Sequence, residues 1–141
     1  MKVYVLDVSV AVKWFLPDES FSDEALALLR DYREAKIDFI APDFFWPEFG
    51  NVIWKAVRRK RCSAETSAEA LHQIFELKLK TVPSADLVDD ALALALATGQ
   101  TVYDSLYVVL AMRSDVEMIT ADERLVTSVG SRLPVRWLGS V

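Results

Sequence analysis

With 141 residues, 52% of them apolar, and only four glycines and five prolines, the chain can bury a sizeable core and does not have the composition of a disordered polymer. Its formal charge of −5 excludes a protein that coats duplex nucleic acid by counterion release alone. It still admits a nuclease whose acids are offset by bound cations, and a charge of this size also serves solubility by itself.

The opening MKVYVLDVS reaches an acid too soon for a secretory signal, and no apolar run is long enough to span a bilayer. Cytoplasm is therefore the expected location. The lone cysteine, Cys62, cannot form an internal disulfide and fits a reducing compartment. No repeat, linker or shift in composition divides the chain, so one domain over residues 1–141 is expected.

Residues 2–6 are apolar on both sides, the pattern of an interior parallel strand covered on both faces. The strand ends at Asp7, followed by Ser9. Ligands of open α/β sheets bind beyond the carboxyl ends of strands, which is where Asp7 falls, although Asp is also an ordinary helix cap at such a junction. Residues 10–15 should form a short helical turn closed by Pro17. An amphipathic helix is expected over 20–35, capped by Ser20 or Ser22, with Ala25, Leu26, Leu28 and Leu29 on its buried side. A short strand over 38–41 leads to Pro42.

Pro47 suits an early helical position and puts Glu48 in or near the first turn of the next helix. At about 100° per residue, Glu48, Asn51, Val52, Lys55 and Arg59 share one side. An acid at one end and cations further along would suit a phosphodiester chain. The same charges would equally suit the helix dipole, with Arg58 to Arg61 near the last turn. Phe44, Phe45, Trp46, Phe49 and Trp54 form an aromatic cluster that reads first as core, then as a protein interface, then as a stacking surface for unpaired bases.

Ser63 or Thr66 opens a helix to about residue 78. It carries His72, the only histidine, which has no neighbouring partner that would make it a catalytic base. Residues 80–82 read as a short strand. The Ala–Leu run over 86–98, stopped by Gly99, favours a helix that is apolar nearly all round and hence well buried. Asp86 and Asp90 share a face in its dipole-favoured first turn. Asp104 then opens a helix, residues 116–120 form a strand, and Asp122 follows directly, with Glu123 able to share a capping role. Residues 135–138 make an edge strand or a terminal tail.

Four acids thus sit at strand ends or helix starts: Asp7, Glu48, Asp104 and Asp122. Gathering like charges costs free energy that a cation recovers, and hard carboxylate oxygens suit Mg2+ or Mn2+ rather than Zn2+. Ser9 and Thr120 are candidates for hydrogen bonds that support these carboxylates, or for structural turns. Asn51, Lys55 and Arg59 are candidates for positioning phosphate.

The segments VYVLDVSVAVKWFLPDE, PEFGNVIWKAVRR, TVYDSLYVVLA and MITADERL together resemble a PIN domain, the nuclease fold of VapC-type toxins in toxin–antitoxin pairs. The resemblance covers nearly the whole chain and matches the family's acids in order at Asp7, Glu48, Asp104 and Asp122. It implies a three-layer α/β/α sandwich with a central parallel sheet of four to five strands, and a Mg2+- or Mn2+-dependent endoribonuclease acting on RNA. It further implies an antitoxin partner whose tail occupies the groove, a homodimer, and larger complexes that bind promoter DNA through the antitoxin. Two other classes stand beside it. One is a noncatalytic PIN-like interaction module. The other is an aspartate-dependent phosphatase with Asp7 as nucleophile, for which Ser9 occupies the position where a second acid is commonly wanted.

Overall fold

The computed structural model describes residues 1–16 and 18–141; the stop expected at Pro17 lies outside them. Five parallel strands, β1 (Lys2–Leu6), β2 (Ile37–Pro42), β3 (Lys80–Val82), β4 (Glu117–Thr120) and β5 (Val135–Trp137), form one sheet in the order β3-β2-β1-β4-β5. Consecutive side chains Tyr4, Val5 and Leu6 are all buried. Successive strand residues point to opposite faces, so helices must cover both, and the fold is an α/β/α sandwich.

The helices are α1 (Val8–Ala11), α2 (Ser22–Arg33), α3 (Phe45–Arg58), α4 (Ala64–Glu76), α5 (Val88–Thr98), α6 (Val102–Ser114) and α7 (Glu123–Val129). A 3-10 turn over Val12–Trp14 extends α1, so the helical turn begins two residues earlier than the sequence suggests. None of the helices is long and apolar enough to cross a membrane among the described residues.

Strand order sets the position of the site. From β1 the chain builds outward through β2 to β3, then returns to place β4 and β5 on the other side of β1. The junction of β1 and β4 is thus the point where connection direction reverses, and loops leaving the two strands diverge there to open a crevice. The ladder runs to its edge: the Asp7 N–H donates to the Ile119 carbonyl at 3.2 Å.

Three expectations are corrected. The α5 helix is not well buried: of its residues only Ala91 is, while Val88, Leu92 and Leu96 are exposed. The inner position belongs to α6, whose residues 105–111 are buried without a break. It packs on β1, β2 and β4 and leaves α5 to lie outside it. Leu26 faces solvent rather than the core. Neither Ser20 nor Ser22 caps α2: Phe21 takes the cap position with φ 60°, and the Ser22 hydroxyl donates to the Glu19 carbonyl at 2.6 Å.

Other local signals act as expected. Ser63 caps α4 by accepting from the Thr66 N–H, and Gly99 ends α5 at φ 77°. In the aromatic cluster Phe45 and Phe49 are core, while Trp54 is exposed. Gly50 lies inside α3 with open space where a Cβ would project. Gly50→Ala is therefore expected to raise stability by about 0.5–1 kcal/mol, since helix propensity and unfolded-chain entropy both favour alanine. A denaturant midpoint no higher than that of the parent would contradict this.

Candidate metal centre

Asp7, Glu48, Asp104 and Asp122 all line one crevice of about 360 Å³ at the β1–β4 junction, together with Val8, Ser9, Val12, Lys13, Glu19, Val52 and Ala121. Each acid arrives on a different piece of regular structure. Asp7 leaves β1 and Glu48 stands in the first turn of α3. Asp104 stands in the first turn of α6, whose start is fixed by Thr101 accepting from the Asp104 N–H at 3.0 Å. Asp122 sits between β4 and α7.

Asp7 occupies the cap position of α1, but its carboxylate makes no capping bond. Instead Oδ2 accepts from the Ser9 hydroxyl at 2.6 Å and from the Thr120 hydroxyl at 2.7 Å. Ser9 in turn accepts from the Ala121 N–H at 2.9 Å, and Thr120 accepts from the Asp122 N–H at 3.1 Å. Both hydroxyls therefore have their donor direction fixed toward Asp7 by backbone groups of the loop after β4.

Two other acids are tethered in the same manner, through one oxygen. Glu48 Oε1 accepts from the Tyr107 hydroxyl at 2.6 Å. Asp122 Oδ1 caps α7, accepting from the N–H groups of Arg124 and Leu125 at 3.1 and 3.3 Å. In each case the second carboxylate oxygen takes no hydrogen bond among the described residues, and the residue lines the crevice. That division orients a carboxylate without using up its capacity to bind.

The electrostatics follow from placing acids together in a partly dry space. Burial raises the Asp7 carboxyl above its ordinary range; the Ser9 and Thr120 hydroxyls oppose this, while Asp104 and Asp122 add to it. Burial, then the nearby Asp7 charge, pushes Glu48 up to about 7 against the hydrogen bond from Tyr107. Asp104 is raised by burial and by Asp122, with Thr101 and Arg124 opposing. The Tyr107 hydroxyl is raised by burial and by Glu48, which keeps it a proton donor to that carboxylate at all ordinary pH. Three acids that resist ionising beside one another form a donor set that a divalent cation would relieve. The chemistry of the site fits Mg2+ or Mn2+. No three His, Cys, Asp or Glu side chains among the described residues are already drawn into a cage.

Of the other expected site residues, Asn51, Lys55 and Arg59 are exposed, and none lines the crevice. They continue along or just beyond the helix whose Glu48 and Val52 do line it, with Arg59 one residue past the helix end. His72 is exposed and pairs with Glu76 at 2.8 Å, away from the acids. Asp90 and the Asp86 carbonyl are taken by Arg113. Three residues around the acids were not singled out from sequence. Tyr107 reads as ordinary core, and Glu19 as a loop acid. Lys13 carried one usable signal, being four residues after Ser9 and the only charge in the apolar turn VSVAVKWF.

Residues 4–128 match the PIN domain family. Ribonuclease VapC3 of Pyrobaculum aerophilum is 30% identical over 123 residues, which span 86% of this chain and 90% of that protein. Two solved structures share the fold. That of PAE2754 from Pyrobaculum aerophilum has a TM-score of 0.68 at 19% identity, covering 99% of this chain and 85% of that one. That of VapBC2 from Rickettsia felis, bound to a DNA fragment from their promoter, has a TM-score of 0.61 at 11% identity, with 96% and 98% covered. With a family match over most of its length and a VapC relative at this identity, the chain belongs to the PIN domain family as a VapC-like protein.

Proposed function

We propose that this chain is a cytoplasmic Mg2+- or Mn2+-dependent endoribonuclease and the toxin of a toxin–antitoxin pair. The observation that carries the reading is four carboxylates on one crevice, three of them tethered through a single oxygen. Asp7, Glu48, Asp104 and Asp122 would hold the cation. A cation bound there would supply a lowered pKa for an attacking water and countercharge for the phosphoryl and leaving oxygens. Ser9 and Thr120 fix the Asp7 carboxylate, and Tyr107 fixes Glu48. Asn51, Lys55 and Arg59 lie along the path of a strand leaving the crevice over α3 and serve its phosphates.

An aspartyl-phosphate mechanism fits less well. Asp7 is buried and raised in pKa, and the Ser9 hydroxyl that stands where an acid is wanted is bound to Asp7 itself. The partner proteins follow from the relatives, one of which is solved as a VapBC2 assembly on promoter DNA. A homodimer is supported by the apolar outer side of α5, where Leu92 and Leu96 are 51% and 80% exposed. The double change Leu92→Asp, Leu96→Asp is expected to leave the chain folded and shift it to monomer in sedimentation; an unchanged dimer would remove α5 from the interface.

The direct test is cleavage of mixed single-stranded RNA during a Mg2+ or Mn2+ titration. Activity should rise with metal and vanish with a chelator. Cleavage that persists in chelator would end the proposal, and no cleavage at any metal concentration would favour a noncatalytic interaction module.

A further inference from the structure

Lys13 stands out among the groups around the crevice. It is the only basic side chain among those lining it, and it is only 8% exposed. Burying an ammonium is costly unless its charge and its three donors are used. Its one ion-pair partner among the described residues is Glu19, at 3.8 Å, too far for a hydrogen bond. Glu19 also accepts from the Arg61 guanidinium at 2.9 Å, through its other carboxylate oxygen. The fold therefore holds a nearly buried ammonium on the same crevice as four carboxylates, with no side-chain hydrogen bond among the described residues and with its head reaching the crevice. A cation so placed can take an anionic acceptor that enters the crevice, exchanging solvent and a weak ion pair for a direct charged contact. A phosphate that brings its charge to a metal-filled site is such an acceptor.

Resting on the nuclease reading above, we propose that Lys13 is a phosphate-positioning residue, donating to a non-bridging oxygen of the RNA strand held at the carboxylates, with Glu19 as the weak partner that the phosphate displaces. The Glu19–Arg61 pair then has a role of its own. It ties the loop after the Val12–Trp14 turn to the residues following α3, and holds Glu19 far enough from Lys13 for exchange to be easy. The bland alternative is that Lys13 only offsets repulsion among the acids. The two differ in what they make of RNA: a charge that merely offsets acids does not add to the number of phosphates neutralised.

The experiment compares the parent with Lys13→Met and Lys13→Arg. Methionine keeps the unbranched shape and removes a buried charge, so the fold should hold, as checked by thermal melting. Binding of a fluorescein-labelled mixed-sequence single-stranded RNA is followed by anisotropy with Ca2+ in place of Mg2+, over a range of salt. Mn2+ affinity is measured separately by calorimetry without RNA. The proposal expects Lys13→Met to lose about tenfold in RNA affinity and to flatten the salt slope by about 0.7, the share of one phosphate on a single strand. Lys13→Arg should recover most of both. Mn2+ affinity should stay the same or rise in Lys13→Met. An unchanged affinity and slope in Lys13→Met, with the parent binding and cleaving RNA normally, would overturn the proposal and leave the nuclease reading standing. A parent that neither binds nor cleaves RNA would overturn both.

Discussion

Replacing Asp104 by asparagine is expected to cut metal-dependent RNA cleavage by at least about 100-fold while the protein stays folded. Changing a group that only orients a metal ligand already costs about 10- to 100-fold, so loss of a direct ligand oxygen sets that range as a floor. Asparagine keeps the size of the side chain and a carbonyl oxygen facing Thr101, and Thr101 still accepts from the N–H of residue 104, so the start of α6 is held. The metal-free variant should melt no lower than the parent, and higher where the other acids are ionised, because one raised, repelled carboxylate has been made neutral. Cleavage by Asp104→Asn equal to the parent at the same metal concentration would remove Asp104 from the site. A lower melting temperature would show that the acids are not repelling one another.

The second large effect is on stability against pH, through Glu48. Its pKa in the folded chain is pushed up to about 7 from an ordinary 4.5. Between those two values the folded chain holds more of this proton than the unfolded chain does, so stability falls as pH rises through the window. The loss is absent below the lower value and complete above the higher one. Glu48→Gln has no such loss, and its amide oxygen can still accept from Tyr107. The metal-free variant should therefore match the parent near pH 4 and exceed it by about 2 kcal/mol at pH 8, a figure already reduced for the part of Glu48 that water reaches. Saturating Mg2+ should reverse the order, since ligand binding stabilises only the chain that binds it. Urea titrations at the two pH values, with and without Mg2+, supply the comparison. A parent that is the more stable at pH 8 without metal would contradict the crowding of acids.

How much of this was legible in the sequence depended on whether a signal was local. Asp7 could be placed because an unbroken apolar strand precedes it, Glu48 because Pro47 marks a helix start, and Asp104 because Gly99 stops the helix before it and a new apolar run opens there. That these ends meet required the strand order, which sequence periodicity does not encode. The resemblance to a known family supplied it instead. The α5 helix shows the limit from the other side. Residues 88–98 and 102–114 are both apolar enough to be the inner helix, and composition does not say which lies against the sheet. Lys13 and Tyr107 escaped for a related reason. A lysine in a short turn is ordinarily solvated, and a tyrosine in an apolar helix is ordinarily core. Only the folded chain reveals that one is nearly buried on the crevice of the acids and the other aims its hydroxyl at Glu48. Ser9 and Thr120, 111 residues apart, sit 3.3 Å from each other across Asp7, a pairing with no local trace.

The claim beneath all of this is that Asp7, Glu48, Asp104 and Asp122 bind one common ion pool. Crystals soaked in Mn2+ and recorded at an energy where manganese scatters anomalously test it most directly. The prediction is an anomalous peak in the crevice in contact with oxygens from at least two of these four carboxylates, and its loss in crystals of Asp104→Asn. A crevice without a peak at saturating Mn2+, or a peak held by other residues, would contradict it.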